Sequence, residues 1–454
     1  MFRPVGDFLG HPRGLTILWA TETWERFSYF GNAALVVLYM VKYLLWPEPA
    51  ETVLGLGTIK AVLESLVGHL EPQPLASQLF GLYTGLAYSA PILGGIIADR
   101  LLGQRRTVLI GGVLMAFGHF MMAFEAMFLI ALLLLILGIG AFKPNISSQV
   151  GSLYRSDDQR RDRGYLIFYV GISVGAFLAP LVCGALAVRY GWHAGFSAAG
   201  IGMLLSLGIY LCGIRALPQD EIRRDRRRRE ERQRAEEEHL PSDPEGRRAA
   251  LPVLGVCAAV ILFWAAADQQ GNTILLWAED FTNRSIDIGF WRGEIPSPWF
   301  LSLGPLCTFV LTPLLVHLWA RQGERGREPS PIRKMAFGAL CLALANLVMA
   351  GAAASGTGKA SALWLVGYFV LATIGELHVA PIGLAWISKT APSCSLSTLM
   401  GIWFAATLPA DIFGGFLGGF WSSMAKPNFF LLIAVIAGCG SLALRLQEAP
   451  TSHH

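Results

Sequence analysis

Twelve apolar stretches alternate with polar ones along this chain. A helix crossing the hydrocarbon of a bilayer needs about 20 mostly apolar residues. On that rule spans are expected at 15–45, 76–99, 105–124, 126–153, 164–188, 193–215, 251–280, 297–320, 333–354, 361–387, 397–423 and 427–445. The segment 217–250, LPQDEIRRDRRRREERQRAEEEHLPSDPEGRRAA, separates the first six from the last six. Its charge run reads as a solvated, partly helical connector, with binding of anionic lipid or a partner as the other reading. The pattern predicts an all-α polytopic membrane protein with 12 transmembrane helices in two six-helix bundles, 1–216 and 251–454, joined by the linker 217–250. Six plus six around a long connector is the layout of transporters built from two related halves.

Lysine and arginine set the orientation, because cytoplasmic loops are enriched in both. With the N-terminus inside, cytoplasmic loops hold Arg100, Arg105 and Arg106, then Arg155, Arg160, Arg161 and Arg163, then the linker, then Arg321, Arg325, Arg327, Arg333 and Lys334. The opposite loops hold only Lys42, Lys60, Arg189, Arg284, Arg292, Lys359 and Lys426. Both termini are therefore expected in the cytoplasm, and the chain in the cell (inner) membrane as a multi-pass protein.

Composition agrees with insertion in lipid. Hydrophobic residues make up 54% of the 454 and charged ones 15%, against about 25% charged in soluble domains, and the mean hydropathy is +0.49. The net charge of +4 sits in a few loops and calls for no nucleic acid. The polar N-terminus MFRPVGDFLGHPRG lacks the features of a signal peptide. Seven cysteines are scattered singly, without a CxxC pair, so neither a zinc site nor a disulfide framework is expected. No P-loop, metal-ligand cluster or nucleophile with its base is visible. The chain reads as no enzyme, with no cofactor, a proton gradient as energy source, and a monomer in the bilayer.

Ionisable residues inside spans carry the functional signal, since each costs at least ~2.5–3.5 kcal/mol on insertion scales. In the first span Glu22, Glu25, Arg26 and Tyr29 stand at i, i+3, i+4 and i+7, on one helical face. Two carboxylates beside one guanidinium leave one carboxylate over, and that one is the expected titratable group; the alternative is an ion-pair staple between helices. The fourth span holds Lys143, expected to pair with a helix-one glutamate. The seventh holds Asp268, followed by Gln269, Gln270 and Asn272; the tenth Glu376 and His378; the eleventh Asp411. These charges are expected to meet in a central cavity. Tyr29, Phe30, Tyr88, Tyr169, Trp264 and Trp403 are candidates to line it, each also explicable as packing.

Several blocks resemble a known family. GGIIADRLLGQRR, Gly94 to Arg106, resembles the major facilitator signature G-x-x-x-D-R-x-x-G-x-R-R. ETWERFSYFG, Glu22 to Gly31, is similar to the E-x-x-E-R-F-x-Y-Y-G motif of proton-dependent oligopeptide transporters. GIGAFKPNISS, FYVGISVGAFLAP, GWHAGF, FWAAADQQGN, GELHVAPIGLAWISKTAP and MGIWF follow in the family's order. The resemblance implies a twelve-helix major facilitator fold and proton symport of di- and tripeptides by alternating access. It implies proton coupling at Glu22, Glu25, Arg26 and Lys143, to which Asp268, a departure from the pattern, is added as a candidate. Substrate contacts are implied at Tyr29, Phe30, Tyr88, Lys143, Ser173, Asn272, Glu376, Trp403 and Asp411, and a cytoplasmic gate latch at Asp99, Arg100, Arg105 and Arg106.

The departures from that pattern cluster in the substrate grip. Ala33 stands where these transporters usually carry a second arginine, Phe30 replaces a tyrosine and Ser173 an asparagine. Leu301 and Gly304 replace a glutamine and an asparagine, Asp268 a glutamate, and Asp411 an asparagine. Without the arginine the hold on a peptide carboxylate is weaker, and Asp268 loses the cation that the family pairs with its acid. Asp268 then reads as a second proton site, as a site for a substrate cation, or as simple divergence with water around it. The first expectation is a proton-coupled symporter importing small peptides or peptide-like compounds through an altered pocket. The alternatives are a proton-coupled symporter or antiporter of an amine or other small metabolite, and a non-transporting receptor on the same fold.

Overall fold

The computed structural model describes residues 10–155, 158, 160–218, 244–287, 292–356, 358–390 and 396–448. Most of the linker (219–243) and Cys394 lie outside the described residues. The long helices are α1 (Arg13–Tyr39), α2 (Pro72–Ile97), α3 (Gln104–Met121), α4 (Phe128–Ser152), α5 (Arg160–Tyr190) and α6 (Trp192–Gly213) in the first half. The second half has α7 (Pro244–Ala267), α8 (Leu303–Glu324), α9 (Pro331–Ala354), α10 (Leu363–Thr390), α11 in two pieces (Leu396–Ala405 and Thr407–Gly418) and α12 (Lys426–Leu446).

Among the described residues eleven helical stretches are long and apolar enough to cross a membrane. The twelfth expected span is α3, 18 residues long, whose first turn holds Arg105 and Arg106 and so lowers its average apolarity. Between α1 and α2, where no span is expected, the chain forms two short helices, Pro47–Thr52 and Leu56–Val67.

The described residues of 1–69 and 86–235 form one compact unit, and those of 70–85 and 236–454 the other. The first fourteen residues of α2 thus belong with the second half of the sequence. Inside the first unit α1 packs on α5 and α6, and α3 on α4 and α6. Inside the second, α7 packs on α11 and α12, and α9 on α10 and α12. The same four pairings recur at the same positions of each half, the signature of an internal structural repeat.

Breaks in the helices follow from local chemistry. Between α2 and α3 Gly103 has φ +82°, a left-handed conformation that glycine adopts without steric cost. After α7 the chain tightens into a 3-10 turn, Asp268–Gln270, and bends at Asn272 before the short helix Thr273–Asp280. α11 restarts at Thr407 because Pro409 has no N–H to continue the preceding ladder and fits only a first helical turn.

Candidate functional site

Two polar clusters are buried in the apolar helices, one in each unit. The first stands on α1. Glu22, Glu25 and Arg26 are 1%, 0% and 2% exposed, so their charges must be neutralised locally. Arg26 does this mainly through Glu25: Nε and Nη2 donate to the two Glu25 oxygens at 2.5 Å each, a fork-to-fork arrangement. Glu22 approaches the same guanidinium from one turn earlier, its Oε1 3.4 Å from Nε. Its other oxygen is buried without a hydrogen-bond partner among the described residues.

Close packing holds this cluster in place. A Cβ on Gly175 of α5 would lie 2.8 Å from the Phe27 nitrogen and 2.9 Å from the Arg26 Cβ. Any side chain there would push α5 off α1. On the α6 side, Ser28 donates to the Ala199 carbonyl and Ser206 to the Thr21 carbonyl, both at 2.7 Å.

Lys143 of α4 departs from expectation. It forms no ion pair with Glu22 or Glu25; its ammonium lies over the Tyr88 ring, 4.6 Å from the centroid. Tyr88 in turn meets Tyr29 edge to face at 6.3 Å, and Tyr29 carries Arg26 over its ring at 5.0 Å. Glu25 already occupies the Arg26 fork, and the aromatic face offers the ammonium a second kind of partner. Phe30 sits edge-on to Tyr29 at 5.1 Å, and Ser173 is buried nearby in sequence to Gly175.

The second cluster gathers around the break in α7. The Asp268 carboxyl stands close enough to that of Asp411 on α11 for the two to interact electrostatically, with Thr84 of α2 beside Asp411, and Oδ2 of each aspartate is buried without a hydrogen-bond partner among the described residues. Asp268 therefore faces a second acid and forms no ion pair among the described residues. Glycines bring the backbones together: a Cβ at Gly414 would lie 3.1 Å from Asp268 Oδ2, and one at Gly85 3.3 Å from the Asp411 Cβ.

Two further links complete it. Gln270 donates to Glu376 Oε1 at 2.5 Å. Asn272 accepts at Oδ1 from the Ser77 hydroxyl at 2.9 Å, and Gln73 donates to both Ser77 Oγ and the Gly418 carbonyl. Trp403 is buried with its indole laid across Gly383 of α10. Ser77, Thr84 and Gln270 were not among the expected site residues. The signal was there in α2, where Ser77, Gly81, Thr84 and Gly85 fall at i, i+4, i+7 and i+8, a stripe of small and hydroxyl residues suited to close helix contact.

The expected gate residues lie elsewhere in the first unit. Asp99 is in a π-turn, Ala98–Leu102, at the end of α2. Arg105 donates to the Leu217 carbonyl, while Arg100 and Arg106 are exposed.

The sequence matches the profile of the POT family over residues 105–233 and 238–431. It is 31% identical to the di-/tripeptide transporter of Lactococcus lactis subsp. cremoris, covering 98% of this chain and 96% of that one. It is 34% identical to the peptide transporter YePEPT of Yersinia enterocolitica, covering 91% and 88%. In structure it resembles the peptide transporter POT in complex with sulfate, with a TM-score of 0.81 and 28% identity over 98% of this chain and 96% of the other.

Proposed function

The chain belongs to the POT family, with its helical major facilitator fold, and from that premise we propose that it is a proton-coupled symporter of small peptides or peptide-like compounds. One observation carries the coupling. Glu22 is fully buried, shares Arg26 with a better-placed acid, and keeps one oxygen without a hydrogen-bond partner among the described residues. Such a carboxylate gains most from taking a proton. Lys143, on the aromatic face of Tyr88, supplies a positive charge to the same cluster. A peptide carboxylate entering there would meet Lys143 and the Tyr29 and Tyr88 rings; in the second unit Glu376 and Asp268 are the acids suited to an amine. Asp99, Arg100, Arg105 and Arg106 are assigned to gating, and the protein to the cell membrane as a monomer with cytoplasmic termini. The energy source is the proton gradient, with no cofactor.

Uptake by proteoliposomes under an imposed inward proton gradient tests this reading. Labelled di- and tripeptides should accumulate, and a protonophore should stop accumulation. If no peptide or amine accumulates and none accelerates proton entry, symport of this class is wrong. The Asp268–Asp411 pair favours a second reading of the substrate. Where relatives are expected to carry an arginine this chain has Ala33, and where they carry an asparagine it places Asp411 beside Asp268, which suits an amine-rich or cationic substrate. Competition by amines stronger than by neutral dipeptides would select it.

A further inference from the structure

A cavity of about 620 Å³ opens in the second unit between the C-terminal half of α8, the first turns of α9, α10 and the end of α12. It lies at the end of these helices where the basic residues concentrate. Three cations line it: Arg333, Lys334 and Arg445. Two of them are already engaged. Arg333 Nε donates at 2.8 Å to Glu448, whose carboxylate also takes a hydrogen bond from the Ser330 hydroxyl at 2.8 Å. Lys334 pairs with Glu328 and lies over the Trp319 ring at 4.6 Å. Arg445 forms no ion pair among the described residues. Against these three cations stand two acids, so the wall keeps one uncompensated positive charge.

His378 adds a second, independent pointer. It is only 4% exposed, yet lines the cavity. Its Nδ1 donates to the Ile374 carbonyl at 2.8 Å, which leaves the lone pair of the neutral ring on Nε2. That nitrogen has no hydrogen-bond partner among the described residues. The site thus offers a cationic wall for an anion and an acceptor for a hydroxyl.

The rim decides the source of the ligand. Leu318 and Phe337 are each 47% exposed at the cavity mouth, on helices whose outer surfaces face lipid, so an occupant with acyl chains can lay them there. We propose that this cavity binds the headgroup of an anionic phospholipid, its phosphodiester against Arg445 and Arg333 and a headgroup hydroxyl on His378 Nε2. Basic pockets between helices on the positive side of a membrane protein suit such headgroups.

The test is the apparent unfolding temperature of the purified chain in nanodiscs of zwitterionic lipid, with and without phosphatidylglycerol, read beside lipid retention in native mass spectrometry. Phosphatidylglycerol should be retained and raise the temperature by roughly 2–4 °C. Arg445→Gln, an exposed position that the fold does not need, should abolish both effects. Glycerol 3-phosphate and inorganic phosphate, added in detergent, should leave the temperature unchanged. An equal rise with either soluble phosphate overturns the lipid assignment in favour of a soluble phosphate site. No rise with phosphatidylglycerol, or a rise that survives in Arg445→Gln, overturns the site.

Discussion

Glu25 holds Arg26 through both carboxylate oxygens at 2.5 Å, while Glu22 reaches the same guanidinium only at 3.4 Å. The two glutamates of one motif therefore have different physical tasks. Removing the charge of Glu25 leaves a buried guanidinium half-compensated, and breaking a buried pair costs about 3–5 kcal/mol. Glu25→Gln should lower thermal stability and all modes of transport together. Glu22→Gln should keep the fold and substrate counterflow but lose gradient-driven accumulation. Equal loss of counterflow in both variants would remove the distinction.

Lys143 rests on Tyr88 instead of pairing with an acid, and a cation–π contact of this kind contributes about 0.5–1 kcal/mol at exposed sites. Tyr88→Phe keeps the ring and should leave uptake near the native level. Tyr88→Leu should weaken apparent substrate affinity by about 2–5-fold on that energy, and Lys143→Gln by more. Concentration-dependent uptake, with KM and maximal rate read separately, checks both.

Much of this arrangement was legible in residue spacing. The span pattern located the helices because each apolar run must satisfy its backbone internally, and the i, i+3, i+4, i+7 spacing put Glu22, Glu25, Arg26 and Tyr29 together. What spacing cannot give is choice among partners. Whether Lys143 prefers Glu22 or the Tyr88 ring depends on where α2 and α4 bring their side chains, a tertiary fact. The closeness of Asp268 and Asp411 was hidden likewise, because it brings together residues 143 positions apart in the sequence and needs Gly414 and Gly85 to admit it.

Gly175 supplies a packing test of the α1 cluster. Its added Cβ would stand 2.8 Å from the Phe27 nitrogen, closer than the backbone tolerates. Overpacking of this kind costs about 1–3 kcal/mol, so Gly175→Ala should lower the unfolding temperature and weaken transport. Gly208 on α6 faces open space, and alanine there gains the ordinary helix preference. Gly208→Ala should therefore be neutral or slightly stabilising in the same assay.

Asp268 and Asp411 stand together, with Oδ2 of each buried and without a hydrogen-bond partner among the described residues. An asparagine at 411 supplies a permanent N–H donor to Asp268. Asp411→Asn should thus keep or raise thermal stability by replacing one of two neighbouring acids with a donor, whereas Asp411→Ala, with no donor to offer, should be the less stable of the two. Equal unfolding temperatures in the two variants would show that residue 411 does not reach the Asp268 carboxyl.

Glu448 lies just beyond α12 and ties the end of that helix to the start of α9. The hydrogen bond from Arg333, with a further one from Ser330, holds its carboxyl below the usual glutamate range. A depressed folded-state value means that the stabilisation is full above the unfolded value, about 4.3, and is lost as pH falls through the lower, folded one. The pair is largely solvent-accessible, with Arg333 62% exposed, so its contribution is about 0–1 kcal/mol. Glu448→Gln should lower the unfolding temperature slightly and evenly at neutral pH. The gap from the native chain should start to narrow as pH falls past about 4.3 and close only below the lower, folded value, where the native carboxyl is neutral too. Raised salt should narrow the gap at neutral pH by screening; a gap that persists unchanged in strong acid would mean that Glu448 acts through packing and not through its charge.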